Sequence, residues 1–96
     1  MKKARSELEV YIEILTILKK NRIWIAKSRL MSKANLCSQA INRYIQKLSI
    51  DNTIEKNIKI TEFKEMTKVK ITEKGIKRLA ELKSLSIENN RLLNNL

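Results

Sequence analysis

Apolar residues recur at spacings of three and four through Leu8, Tyr11, Ile12, Leu15 and Leu18, with Ile14 and Ile17 widening the stripe. That period predicts an amphipathic helix from about Glu7 to Lys20. Ser6 and Glu9 form a capping box at its start, and Lys19 and Lys20 suit the negative end of its dipole. Asn21 is a residue that tolerates the left-handed turn at a helix end. The pattern then shortens. Ile23, Trp24 and Ile25 make a three-residue β-favouring run. A short helix follows from Lys27 to Lys33 with Leu30 and Met31 inward, then a turn at Ala34, Asn35 and Leu36. The next helix runs from Ser38 to about Ser49, with Cys37 at or just before its N-cap and Ile41, Tyr44, Ile45 and Leu48 on its core face. Asp51 and Asn52 stop it.

Beyond that point the period changes to two. Ile54, Ile58 and Ile60, then Val69 and Ile71, alternate with polar residues, predicting two half-buried strands joined by a loop over roughly Glu62 to Thr67. Thr72 is placed to cap a final helix from Glu73, with Ile76, Leu79, Ala80 and Leu82 inward and Gly75 allowing close approach to a neighbour. From Leu82 onward, Leu85, Leu92 and Leu96 keep an a/d heptad rhythm with Asn89 at an a position. This suggests a coiled-coil seam whose buried Asn would set register and partner number. A frayed amphipathic tail is the alternative. The predicted fold is mainly α with a small antiparallel β-hairpin. It is a winged helix-turn-helix over residues 1–75, followed by a long C-terminal helix over 73–96 that serves dimerisation.

Composition sharpens the functional side. The 96 residues carry a formal charge of +11, an excess that attracts polyanions. Its distribution tells more than its size. No acidic residue lies between Glu13 and Asp51, an interval holding eight Lys and Arg residues. In a helix-turn-helix the second helix enters the major groove, and here its outward positions are Ser38, Gln39, Asn42, Arg43, Gln46 and Lys47. Asn and Gln can pair bidentately with adenine and Arg with guanine, while Ser and Lys reach bases or phosphates. An ordinary solvated face is the plain alternative. On the preceding helix, Lys27, Ser28, Arg29 and Lys33 are phosphate candidates. In the wing, Lys64 and Lys68 invite contact but Glu62 and Glu65 oppose it, and Phe63 and Met66 are expected to cover a hydrophobic edge. Trp24 is expected to pack in the core or against the sheet rather than stack on bases.

Other chemistries find little support. There is no His, no glycine-rich phosphate loop and no Cys cluster, so neither an enzyme nor a metal or cofactor protein is expected. The single Cys37 fits a reducing compartment and a small packing role. The N-terminus lacks the uncharged apolar run of a signal peptide or membrane span, so a cytoplasmic, nucleoid-associated protein is expected.

Three stretches carry a resemblance to a known family. They are ARSELEVYIEIL at the start, SRLMSKANLCSQAINRYIQKL in the middle and KVKITEKGIKRL before the last helix, spanning most of residues 4 to 83. The chain resembles the small archaeal winged-helix proteins of the ten-kilodalton "a" class, abundant DNA-binding chromatin proteins. The resemblance implies duplex DNA as partner. It also implies that the long last helix pairs with its mate in an antiparallel coiled coil, giving a dimer with two DNA-binding lobes. Cys37 stands where that family usually has Ser, and Asp51-Asn52 replaces its usual Gly. Two roles follow, site-specific transcription regulator or low-specificity architectural protein. A rival from another class is an adaptor that uses the same fold to bind an acidic protein partner.

Overall fold

A computed structural model describes residues 6–21 and 23–94, with side chains to Leu85. The elements run α1 (Glu7–Asn21), β1 (Ile25–Ala26), α2 (Lys27–Ala34), α3 (Ser38–Ile50), β2 (Ile54–Ile60), β3 (Glu65–Ile71) and α4 (Glu73–Asn94). The order is the expected one. The sheet is antiparallel with strand order β1-β3-β2, so the short first strand joins the hairpin and makes it three-stranded.

One apolar core holds the layers together. Ile14, Leu15 and Leu18 of α1, Leu30 and Ala34 of α2, and Ile41 and Ile45 of α3 are buried against Ile25, Ile54, Val69 and Ile71 of the sheet and Leu79 of α4. Burying one such side chain fully is worth about 1.5–3 kcal/mol. The helix stripes read from the sequence are therefore the main stabilising element, and α1 adds Val10 to the expected set. At the start of α1, the Ser6 Oγ accepts from the Glu9 amide at 3.2 Å, the serine's half of the capping box.

Several expectations need correction. The first strand is Ile25–Ala26 rather than residues 23–25, because only Ile25 and Ala26 face a partner, Val69 and Lys68. Ile23 and Trp24 are exposed instead. Asn21 is the last helical residue of α1, and its side-chain amide donates to the Ile17 carbonyl at 2.7 Å. The left-handed positions are Asn35 and Asn52. The hairpin loop is also shorter than expected. Glu65, Met66 and Thr67 belong to β3, paired with Ile60, Lys59 and Ile58, leaving a connection of residues 61–64. Of β2 only Ile54 is buried, and Ile58 and Ile60 are exposed, because the hairpin extends beyond the helices that would cover it. On α4, Leu79 is buried and Leu82 half-buried, whereas Ile76 and Ala80 face solvent.

A cluster of hydrogen bonds fixes α4 to the turn after α3. The buried Thr53 donates its hydroxyl to the Leu48 carbonyl at 2.9 Å, and its own carbonyl accepts from the Thr72 amide at 3.1 Å. Thr72 donates its hydroxyl to the Asn52 carbonyl at 2.6 Å and accepts from the Gly75 amide at 3.0 Å, acting as the N-cap of α4. Gly75 is buried here. A Cβ at this position would run into the Thr53 carbonyl oxygen and lie 2.7 Å from Ile71 Cγ1. The close approach expected of Gly75 is thus made to backbone.

Candidate nucleic-acid interface

The α2–turn–α3 unit is set by one left-handed residue. Asn35, at φ 54° and ψ 52°, ends α2, and the Leu36 amide reaches back to the Met31 carbonyl at 3.0 Å. This six-to-one bond is the helix-ending arrangement that a left-handed residue permits. Cys37 then takes the extended conformation of an N-cap without a side-chain capping bond, and its thiol is exposed. The chain turns sharply enough for α3 to begin at Ser38 with its apolar face already on the core.

The opposite face of α3 is open. Ser38, Gln39, Asn42, Arg43, Gln46 and Lys47 are all exposed. Their surroundings differ. Gln39, Asn42, Arg43 and Gln46 lie along one stripe at spacings of three and four. Ile50 continues that stripe at 71% exposed. The Asn42 Oδ1 accepts from Lys27 Nζ at 2.9 Å, joining the start of α2 to the middle of α3. That oxygen keeps a second lone pair and the amide keeps its donors, so Asn42 retains both halves of a bidentate contact. The Arg43 guanidinium stands 5.3 Å from the centre of the Tyr44 ring, which meets Tyr11 edge-on at 5.1 Å.

Lys47 stands apart from the stripe. Its Nζ contacts Glu7 Oε1 at 2.7 Å, and the same oxygen accepts from the Tyr11 hydroxyl at 3.1 Å. The hydrogen bond from Lys47, followed by that from Tyr11, holds the Glu7 carboxyl below its ordinary range, and the Glu7 bond in turn raises Lys47. Tyr11 is raised by desolvation first and by Glu7 second. Lys47 thus joins α3 to α1 as well as pointing at solvent.

The sheet divides the remaining candidates. Directly paired residues of an antiparallel ladder share a face and successive residues alternate. Lys56 pairs with the buried Val69, so Lys56, Ile58, Thr67 and Glu65 lie on the face turned toward α3. With Lys27, Asn42, Ile45 and Gln46 they line a groove of about 260 Å³ between α3 and the wing. Lys56 and Thr67 were not singled out from the sequence, and Ile58 only as a strand position, although the register would have given all three as groove residues. Lys64 shares a smaller hollow with Lys27 and Ser28. Lys68 sits on the other face, around a cavity with Trp24, Asn57, Lys59 and Met66. The structure therefore brings Lys27, Ser28 and Lys64 to the groove side and turns Lys68 away. Arg29 and Lys33 lie exposed on α2. Of the expected seam, Leu82 packs partly on the core and Leu85 is half exposed. The side chains of Asn89 and Leu92, and all of Leu96, lie outside the described residues.

Three helices, a helix-turn-helix with an outward polar second helix, and a three-stranded sheet ending in a projecting hairpin define the winged-helix class of helix-turn-helix proteins. A family model described as winged helix-turn-helix matches residues 4–89, and the chain belongs to that family. No curated protein sequence matches it. Among solved structures it is similar to Sso10a-2, a DNA-binding protein from Sulfolobus solfataricus, at 19% identity and a TM-score of 0.76 over 95% of this chain and 88% of that one. A transcriptional regulator homologue from Pyrococcus horikoshii matches at 20% identity and 0.72 over 92% and 90% of the two chains. A PadR-like transcriptional regulator from Bacillus cereus matches at 20% and 0.70 over 90% and 88%. At such identities the likeness is one of fold. The resemblance to small archaeal winged-helix proteins read from the sequence agrees with the family match and with Sso10a-2. No helix among the described residues is long and apolar enough to cross a membrane.

Proposed function

We propose that this protein binds duplex DNA through the outward stripe of α3, with Lys27 and Lys56 flanking the groove beside it. One observation carries the reading: Gln39, Asn42, Arg43 and Gln46 form an exposed face, free of acids, on the second helix of a helix-turn-helix. Phosphate contacts from Lys27, Ser28, Arg29, Lys33 and Lys64 would set register, and the stripe would meet base edges. Anisotropy of a labelled duplex titrated at several salt concentrations tests this. Binding should weaken with a log-log slope of about −0.9 per neutralised phosphate, and Arg43→Ala should weaken it further. Failure to bind duplex DNA at low salt refutes the proposal.

Within that reading the protein acts as a homodimer whose α4 helices form the contact, each lobe presenting one α3. The support is the reach of α4, 22 residues or about 33 Å, together with Leu85 half exposed on it and the heptad rhythm beyond. Deleting residues 86–96 should raise the monomer fraction in sedimentation, and an unchanged mass would place the contact elsewhere. Regulator and architectural roles separate in a footprint on random genomic DNA, which gives discrete sites for the first and uniform cover for the second.

A further inference from the structure

The end of the wing carries two large apolar side chains that nothing among the described residues covers. Phe63 is 93% exposed and Ile60 78%, at the tip of the β2–β3 hairpin. The loop carrying Phe63 is braced. The Thr61 amide donates to the Lys64 carbonyl at 2.9 Å, and the Thr61 hydroxyl both donates to that carbonyl and accepts from the Lys64 amide at 3.2 Å. The ring is therefore held out on a defined turn. From Glu55 to Ile60 every residue of β2 is exposed. The groove beside α3 reaches along the hairpin as far as Ile58 and Glu65, and the turn bearing Phe63 stands beyond it.

We propose that Phe63 is an apolar wedge that enters the minor groove beside the site read by α3 and partly unstacks a base step. This inference rests on the duplex-DNA reading above. Three features favour DNA as the occupant. The wing face is continuous with the groove under α3, since Ile58 lines that groove together with Asn42 and Gln46. Residues 54–71 carry five lysines against three glutamates, and Lys64 follows Phe63 directly. A rigid, isolated, large apolar side chain is what minor-groove proteins insert between base pairs to kink the duplex by about 20–90°. Glu62 beside the ring disfavours close charge contact with the phosphate rims, so insertion, not charge, is the tip's contribution.

Ring closure tests the proposal without knowledge of a target sequence. Fragments shorter than the persistence length of about 150 bp close rarely on ligation unless a bound protein kinks them. The full chain should raise the ring yield severalfold. Phe63→Ala should return it to the level of free DNA while keeping duplex affinity within a few-fold and the same salt slope. Phe63→Leu, still an apolar wedge, should retain most of the gain. Equal ring yield with Phe63→Ala, or no gain with the full chain although it binds, overturns the wedge and leaves DNA binding standing. Absence of duplex binding by the full chain overturns both. Because Phe63 makes no core contact, the circular dichroism of the variants should match that of the parent.

Discussion

Replacing Gly75 by Ala should destabilise the fold although it improves the helix. In an exposed helix interior the change gains roughly 1 kcal/mol from propensity alone. Here the added methyl meets the Thr53 carbonyl oxygen, a backbone atom in a tight turn, and stands 2.7 Å from Ile71 Cγ1. Neither neighbour is the free end of a flexible side chain. Relief requires the start of α4 to move outward. That movement stretches the Thr72 amide to Thr53 carbonyl bond of 3.1 Å and the Thr72 hydroxyl to Asn52 bond of 2.6 Å. Two hydrogen bonds at about 1 kcal/mol each, with overpacking of about 1–3 kcal/mol, outweigh the propensity gain by about 3 kcal/mol. For a chain of this size the melting temperature should fall by roughly 12–24 °C. Thermal and urea unfolding followed by circular dichroism measure the two, with an unchanged urea slope showing that stability changed and not the surface exposed on unfolding. Lys74→Ala, on an exposed neighbour, is the control and should shift stability by less than about 0.5 kcal/mol. A Gly75→Ala protein as stable as the parent, or more so, would refute the account of how α4 is seated.

Three further outcomes follow from the same geometry. Asn35→Ala should cost about 1 kcal/mol or more, because Ala is disfavoured in the left-handed region, and Asn35→Gly, which removes that backbone penalty, should cost less; denaturant midpoints compare them. Lys27→Gln with Lys56→Gln should make the salt slope of duplex binding shallower by about 1.8 if both meet phosphates, and an unchanged slope would remove the groove from the interface. Glu7→Gln should release Lys47 and strengthen duplex binding at neutral pH. Since Glu7 is held below its ordinary range by Lys47, its bond to α3 is in force at neutral pH and lost as pH falls through that lowered value. The two proteins should therefore converge in affinity only below the usual carboxylate range, and a parent that gains nothing from Glu7→Gln would show that Lys47 does not meet DNA.

The helices were legible because each must bury a stripe, and a stripe at spacings of three and four has few other uses. Leu15, Leu18, Ile41, Ile45 and Leu48 appear in both the periodicity and the core. The cap at Thr72 and the close approach at Gly75 were legible for a similar reason, since each rests on local chemistry. The wing was harder. Alternation at Ile54, Ile58 and Ile60 reads as one buried face, and in the fold these residues do share a face. Burial, however, depends on what lies over that face. Only Ile54 is covered, so the same pattern that marks a core strand near α3 marks an exposed apolar edge farther out.

The same limit governs the binding candidates. Charge counting treats Lys64 and Lys68 alike, four residues apart on one wing, but Lys64 lies in the turn before β3 beside Lys27 and Ser28, and Lys68 lies within β3 on the face away from α3. With Val69 fixed in the core by its pairing with Ile25 and Lys56, its neighbours Lys68 and Lys70 must face the other way. Lys56 must then face α3. The buried Val69 and Ile71 of β3 together form an anchor that assigns every lysine of the two strands to a side, and a one-residue slip would reverse all of them. Register is therefore part of the interface. Any change that weakens the anchor, such as Val69→Ala, should blur the distinction between the faces before it unfolds the helices, because β2 beyond Ile54 has no other buried contact to hold its pairing.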